Sequence, residues 1–475
     1  METDKRIGDE TRYFQVDTLK AIMIFLVIFD HIVAWSVKSY IAVTLWERIS
    51  IPVFLVIMGF NFGKSIQRSG KTTLREMYSW DYFKRRIIRY IIPFLVLYIF
   101  STFIGLFIYG FDITAMYQNQ YSPYHGFSNL FIGFLPFWGP GNWFLPLLFQ
   151  SILLLPFLYW IFTKIPKITV ILCFVVEIVL QLTVFFFIGE VTSWTELHIK
   201  NFFMTSVLFY LPAVGLGMWF SFGSEFEAKR NFFMWFLYPI SLAFITAHEF
   251  FKFRIRIDGI PLLNGDYHLL IIPYSAFLFL LAMNFLPRNS DNWLSRLIKI
   301  ISNSTYHILL TQILGYAIIT AYWGTHYSIE AGFNVLDILD LIIVWIFFIS
   351  FGVWWHNIER NKSVPRRILY YTNFFIIFSS LLLFITWLQL FWVPIPLILI
   401  FGYAIGVLIR RFITRKPLTI KVLSLWTLFL FITSIMMVLQ VSVLHPNEYW
   451  FTLIPIVSLF IIATAFTIME YLLRK

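Results

Sequence analysis

Apolar runs of about twenty residues, separated by short polar or turn-rich breaks, follow one another along the chain. A run of that length, wound as a helix, crosses a hydrocarbon core of about 30 Å. The pattern predicts about fourteen transmembrane helices, near 19–38, 46–64, 87–110, 142–163, 167–189, 202–222, 232–250, 268–287, 298–320, 337–355, 368–389, 394–412, 422–443 and 449–473. The expected fold class is therefore an all-α polytopic membrane protein.

The composition agrees with this prediction. Of the 475 residues, 59% are hydrophobic and 13% are charged, about half of the charge that soluble domains usually carry. The longest hydrophilic stretch, around 65–86, is too short for a soluble domain. The sequence thus excludes a soluble globular protein, and we expect any chemistry to take place in or at the membrane.

Basic residues are concentrated at the N-terminus and in alternate breaks between the apolar runs. With the N-terminus in the cytoplasm, the basic residues left outside are Lys38, Arg48, Lys200, Lys252, Arg254 and Arg256. This bias predicts a cell-membrane protein with both termini cytoplasmic. It also accounts for the net charge of +11, so nucleic acid is not an expected partner.

A polar break at 356–367 interrupts the apolar pattern. It predicts a membrane domain over 1–355 and an additional four-helix membrane region, of unassigned role, over 356–475. The one cysteine, Cys173, excludes a disulfide framework and a thiolate metal site. Neither a metal ion nor a bound cofactor is expected.

Chemistry-bearing residues share one face of the first predicted helix. Lys20 and His31 are eleven positions apart, and eleven steps of about 100° return to within about 20° of the start. Asp17 lies close to the same face. An ionisable residue inside a membrane is costly unless it faces a cavity, and imidazole exchanges protons near neutral pH. His31 is therefore the candidate catalytic base, and Lys20 is either a site cation or a lysine that reaches the membrane boundary.

Several segments, which follow one another in the same order as in the family, resemble the acyltransferase 3 family of membrane O-acyltransferases. They are Asp17, Lys20 and His31 in the first helix, the stretch 51–60, the basic run 83–93 with Arg85, Arg86 and Arg89, Asn142-Trp143-Phe144-Leu145-Pro146, and Ser304-Thr305-Tyr306-His307-Ile308-Leu309-Leu310. The sequence departs from the family pattern at Lys20, Met58 and Gln312, where the family carries arginine, serine and often histidine. The resemblance covers about residues 12–355.

The resemblance implies transfer of an acyl group, expected to be acetyl, from cytoplasmic acyl-CoA to a hydroxyl of a cell-surface polysaccharide or lipid-linked sugar. Acyl-CoA is then a substrate, and the partners are membrane lipids and the sugar acceptor. Asp17, Trp143 and Tyr306 would contribute to substrate binding because they match the family's segments.

The basic run allows a physical interpretation of its own. Arg86 and Arg89 share a helical face, and their guanidinium groups, together with Arg85 and Lys20, are suited to the phosphates of an acyl-CoA. The alternative is a basic collar that faces phospholipid headgroups.

Other polar residues are candidates for acceptor binding. Glu177 and Gln181 lie four positions apart in a predicted span and face one side of it, although Glu177 could equally be protonated and pack. Tyr121, Tyr124 and His125, in the outer loop 111–141, suit a sugar, although aromatic residues are also common at membrane interfaces.

Two rival functions remain open from the sequence. A transporter or flippase for a lipid-linked sugar would also use many spans, but should show repeat symmetry or discontinuous helices. A catalytically decayed acyltransferase-fold partner protein is the other alternative, and the substitutions at Lys20, Met58 and Gln312 keep it open.

Overall fold

The computed structural model describes residues 13–118, 133–187, 203–222, 232–257, 260–263, 267–323, 335–361 and 363–388. The α-helices of these residues are α1 (Phe14–Ile32), α2 (Trp35–Tyr40), α3 (Val43–Trp46), α4 (Ser50–Ser69), α5 (Leu74–Met77), α6 (Trp80–Arg86), α7 (Ile92–Ile108), α8 (Ile113–Gln118), α9 (Phe144–Lys164), α10 (Pro166–Phe187), α11 (Leu211–Phe220), α12 (Phe232–Phe251), α13 (Ile272–Phe285), α14 (Trp293–Trp323), α15 (Val335–Glu359) and α16 (Val364–Leu388). A π-helical turn, Ile87–Ile91, joins α6 to α7, and a 3-10 turn, Val207–Tyr210, precedes α11.

The predicted helical membrane architecture is confirmed in its coarse form. In the described part of the chain, five helical segments are long and apolar enough to cross a membrane: Val43–Ser69, Leu74–Leu106, Phe144–Lys164, Pro166–Phe187 and Leu341–Glu359. Between α12 and α13, β1 (Arg256–Ile257) and β2 (Ile260–Pro261) form a short antiparallel pair. The count of about fourteen spans and the cytoplasmic termini stay predictions. The last three predicted spans, and Tyr121, Tyr124 and His125, lie outside the described residues.

The first helix differs from its predicted range of 19–38, because it begins at Phe14 and ends at Ile32. Lys38 folds back over this end, where its Nζ donates to the backbone carbonyl of Asp30 and, at 2.6 Å, to the Asp30 carboxylate. The last carbonyls of a helix have no partner within the helix, so the lysine stabilises the break. Hydrophobic periodicity continues past Ile32 and therefore did not indicate this end.

α4 and α11 cross at unusually close range because glycines line both sides of the contact. A Cβ atom at Gly59 would overlap the carbonyl oxygen of Val214, and one at Gly217 would overlap that of Val56. Small residues allow membrane helices to approach this closely. The crossing fixes the position of α4, which lines both cavities described below.

α1 also packs against α14, and three side-chain contacts connect them. Ser302 donates to the Asp17 carboxylate at 2.6 Å, the Tyr316 hydroxyl donates to the Ile28 carbonyl at 3.3 Å, and the Gln312 amide lies against the His31 ring. The contacts between residues separate the chain into two compact units, one ending at Val353 and the other beginning at Trp354. The sequence-based boundary between 355 and 356 stays a prediction.

Candidate active site

Two cavities lie on either side of a shared apolar wall. One, of about 260 Å³, contains Lys20, and we call it the basic cavity. The other, of about 160 Å³, contains His31, and we call it the histidine cavity. Val27, Ile51, Phe144 and Leu309 line both cavities. Lys20 and His31 therefore face different cavities, about 16 Å apart along the axis of α1.

The basic cavity brings together three of the predicted cations. Lys20 from α1, Arg86 from α6 and Arg89 from the π-helical turn all line it. The Arg86 guanidinium lies 5.3 Å from the centre of the Tyr82 ring, a cation–π distance. π-helical turns are rare and often occur at functional sites. Here, the turn carries Arg89.

Tyr306 lines the same cavity. Its hydroxyl donates to the Tyr90 carbonyl at 2.8 Å, and its ring meets the Tyr90 ring edge-on with centres 5.2 Å apart. Tyr90 belongs to the π-helical turn, so Tyr306 connects α14 to the segment that holds Arg89. This contact positions the arginine and also gives the cavity an aromatic wall.

The interior of the basic cavity is largely apolar beyond its cations. Side chains of α1, α4 and α9 line it, among them Ile24, Phe54, Ile57, Met58, Leu148, Ile152 and Leu155. The cations suit the phosphorylated head of a ligand. The apolar side chains, which lead to the shared wall, suit an apolar or thin extended tail of the same ligand.

In the histidine cavity, His31 is held from two sides. Nε2 of Gln312 lies against Nδ1 of the ring, and a Cβ atom at Gly141 would come within 3.3 Å of its Cε1. Gly141 has a φ of 95°, a backbone conformation that favours glycine. A side chain at this position would press on the imidazole, so glycine leaves room for the ring.

Gln312 can present either end of its amide to His31. The nitrogen donates and the oxygen accepts, and a rotation of 180° exchanges them. With Oε1 facing the ring, Nδ1 carries the imidazole proton and Nε2 keeps its lone pair. That arrangement gives His31 the tautomer that a general base requires.

Asp30 lies beside the ring, with Oδ2 4.0 Å from His31 Nε2. Its other carboxylate oxygen accepts from Lys38 at 2.6 Å. The lysine neutralises the carboxylate and fixes its direction, because Lys38 also binds the Asp30 carbonyl. Asp30 lines the histidine cavity beside His31.

Trp143 lies in a stack of three aromatic rings at the same cavity. The Tyr210 and Tyr267 rings lie 5.7 and 6.0 Å from it, with interplanar angles of 28° and 24°. All three residues line the histidine cavity. The Tyr210 hydroxyl donates to the Met204 carbonyl at 3.1 Å, so the stack is anchored to the backbone before α11.

Glu47 is a site residue that sequence reasoning missed, and Gln312 was noted only as a departure from the family pattern. Glu47 lies just before α4, is fully buried and lines the histidine cavity. A carboxyl group at the start of an apolar run was the available signal for Glu47, and an amide inside the predicted span 298–320 was the signal for Gln312.

Three other predicted substrate-binding residues line neither of the two cavities. Asp17 is buried and accepts from Ser302, which ties α1 to α14. Arg85 is exposed, although it neighbours Arg86. Glu177 is buried and accepts from the Leu269 backbone N–H at 2.7 Å. It therefore holds the segment that carries Tyr267 and does not face either cavity.

Among the described residues, no group of three or more histidine, cysteine, aspartate or glutamate side chains is arranged to hold a metal ion. Cys173 is buried on α10. A Cβ atom at Gly215 would lie 2.7 Å from its sulfur, so this thiol packs between α10 and α11.

A family model for the acyltransferase domain of the acyltransferase 3 family matches residues 13–356. This range is well over half of the chain and contains every residue that lines the two cavities. Neither a curated protein nor a solved structure matches the chain.

Proposed function

The chain belongs to the acyltransferase 3 family, and we propose on that basis that it transfers an acyl group, acetyl in the simplest case, from cytoplasmic acyl-CoA to a hydroxyl of a cell-surface polysaccharide or lipid-linked sugar. The observation that carries this proposal is the pair of cavities on one apolar wall, one with three cations and the other with a histidine. A two-substrate reaction needs separate approaches to one reaction centre.

The basic cavity supports the donor side of the proposal. Lys20, Arg86 and Arg89 would bind the phosphates of acyl-CoA, since guanidinium groups form strong, directional hydrogen bonds with phosphate. The thin pantetheine arm would then extend along the apolar interior and bring the thioester to the shared wall beside Phe144.

His31 is the general base in this mechanism. With Nδ1–H donated to Gln312 Oε1, Nε2 removes the proton of the acceptor hydroxyl. The oxygen forms a bond to the thioester carbonyl carbon, the carbon–sulfur bond breaks, and the CoA thiolate leaves. The proton then passes from the imidazolium to the departing sulfur, which restores neutral His31.

The test is the transfer of radiolabelled acetyl from acetyl-CoA into glycan or glycolipid, with membranes that contain the wild type or His31→Ala at matched expression. We expect His31→Ala to lower the rate by about 10²- to 10⁴-fold, the usual contribution of a general base. His248→Ala is the matched control, because His248 lines neither cavity.

Two results would count against the proposal. Equal labelling by the wild type and His31→Ala would remove the histidine from the mechanism. No labelling by the wild type, with several acyl-CoA donors tried and the fold intact, would favour a transporter or an inactive partner protein.

A further inference from the structure

The carboxyl group of Glu47 has one oxygen that the protein does not satisfy. Ser50 Oγ donates to Oε1 at 3.4 Å, whereas Oε2 is buried and has no hydrogen-bond partner among the described residues. A buried polar atom without a partner is costly. Because Glu47 lines the histidine cavity, a ligand in that cavity that donates a hydrogen bond would remove this cost.

An aromatic face completes the same cavity. Trp143 stacks with Tyr210 and with Tyr267, and this packing restricts the three side chains, so little side-chain entropy is lost when a ligand packs on their rings. Aromatic rings combine a large apolar surface with polar edges. A sugar ring is the ligand with matching chemistry, since it has apolar C–H faces and hydroxyl donors around its edge.

The two cavities differ in the charges that line them. Asp30 and Glu47 are the carboxyl groups that line the histidine cavity, and no lysine or arginine lies among its described lining residues. Lys38 pairs with Asp30 Oδ1 and Asp30 Oδ2 lies beside His31, whereas Glu47 Oε2 is a buried oxygen without a hydrogen-bond partner among the described residues. A carboxylate or phosphate on a ligand would be disfavoured there, because it would be buried without a lining cation to pair with.

We propose that the histidine cavity is the acceptor subsite, in which Glu47 Oε2 accepts a hydrogen bond from a hydroxyl of an uncharged sugar residue while the Trp143 stack supports the ring. The inference rests on the proposed acyl transfer and adds the charge class of the acceptor. Glu47 is a binding residue in this proposal, and His31 remains the base.

The test uses the full chain in detergent micelles and two glycosides that differ in one group. Methyl β-D-glucoside is the neutral probe, and methyl β-D-glucuronide carries a carboxylate. Saturation-transfer NMR measures the binding of each, and acetyl-CoA binding is measured on the same samples. We expect the wild type to bind the glucoside at least about tenfold more tightly than the glucuronide, a difference of about 1.4 kcal/mol.

Glu47→Gln is expected to weaken glucoside binding by about tenfold and to reduce the preference over the glucuronide, with acetyl-CoA binding unchanged. Glu359→Gln is the matched control, since the Glu359 carboxyl also accepts side-chain hydrogen bonds, from Trp355 and Tyr371, and lines neither cavity.

Other outcomes overturn the inference. They are no glycoside binding by the wild type, equal binding of the two glycosides, an unchanged Glu47→Gln variant, and a Glu47→Gln variant that loses acetyl-CoA as well as glucoside, which would indicate a structural role. The proposed function fails separately, if the wild type binds the glucoside as expected but neither binds acetyl-CoA nor transfers the acetyl group.

Discussion

The Gln312 amide lies against Nδ1 of His31, although the two residues are 281 positions apart in the chain. A neutral imidazole has one donor and one acceptor nitrogen, so the group that faces Nδ1 decides which nitrogen is basic. The candidate base therefore depends on an amide that does not itself titrate near neutral pH. Gln312 is a positioning residue in this arrangement.

Replacement of Gln312 should affect turnover more than substrate binding. Gln312→Leu removes the acceptor for Nδ1–H, and we expect kcat to fall about tenfold, which corresponds to one hydrogen bond of about 1.4 kcal/mol. Gln312→Glu keeps an acceptor and should retain most of kcat. Steady-state kinetics with acetyl-CoA and a sugar acceptor measure both variants. An unchanged kcat for Gln312→Leu would contradict the positioning role.

Substitutions of the neighbouring residues Arg85, Arg86 and Arg89 should differ in their effect on acetyl-CoA binding. Arg86→Gln and Arg89→Gln each remove a cation from the basic cavity, and we expect the KM for acetyl-CoA to rise about tenfold in each variant. Arg85 is exposed and lies outside this cavity, so Arg85→Gln is the control and should leave KM unchanged. S-acetylpantetheine lacks the phosphates, and the three variants should use it as the wild type does.

The Asp30–Lys38 pair should stabilise the end of α1. Lys38 is buried and binds both the carboxylate and the carbonyl of Asp30. We expect Lys38→Met to lower the free energy of unfolding by about 2 kcal/mol, because it leaves a largely buried carboxylate unpaired. Asp30→Asn in the same chain should recover part of this loss. Thermal unfolding in detergent of both single variants and the double variant measures the coupling, and additive losses would show that the pair is not coupled.

The glycine crossing of α4 and α11 should not tolerate a methyl group. A Cβ atom at Gly217 would overlap the Val56 carbonyl oxygen, so Gly217→Ala must move two helices apart. We expect this substitution to lower the free energy of unfolding by about 1–3 kcal/mol, measured by thermal unfolding. Gly70→Asn is the control. Gly70 has a φ of 64° and no atom within 4 Å of an added Cβ, and asparagine tolerates this conformation. A Gly217→Ala variant as stable as the wild type would contradict the close packing.

Hydrophobic pattern predicted the helices well where an apolar run ended at polar residues. The predicted span 142–163 is observed as Phe144–Lys164, and 167–189 as Pro166–Phe187. The first helix, predicted over 19–38 and observed as Phe14–Ile32, differs by five to six residues at each end, and its C-terminal end depends on Lys38 folding back onto Asp30. A contact between side chains eight positions apart across a bend has no periodic signal.

Sequence spacing also predicted some features of the candidate site and not others. Spacing along one helix placed Lys20 and His31 on one face, and both residues line cavities of the structure. Spacing could not predict that Arg86 lines the basic cavity and Arg85 does not, because the direction of each side chain depends on how α6 and the π-helical turn are oriented in the bundle. Asp17 and Glu177 are buried polar residues as the pattern suggested, yet their partners are Ser302 and the Leu269 backbone.

By itself, the sequence determined the membrane class, the helical fold, the family resemblance and the identity of the candidate base. These properties depend on composition, local periodicity and spacing within single helices. Only the tertiary structure decided that Gln312 faces His31, that Glu47 faces the same cavity, and that an apolar wall separates this cavity from the cations. The physical reason is that helical periodicity gives the face on which a side chain lies, whereas its partner is chosen by the packing of helices that are distant in the chain.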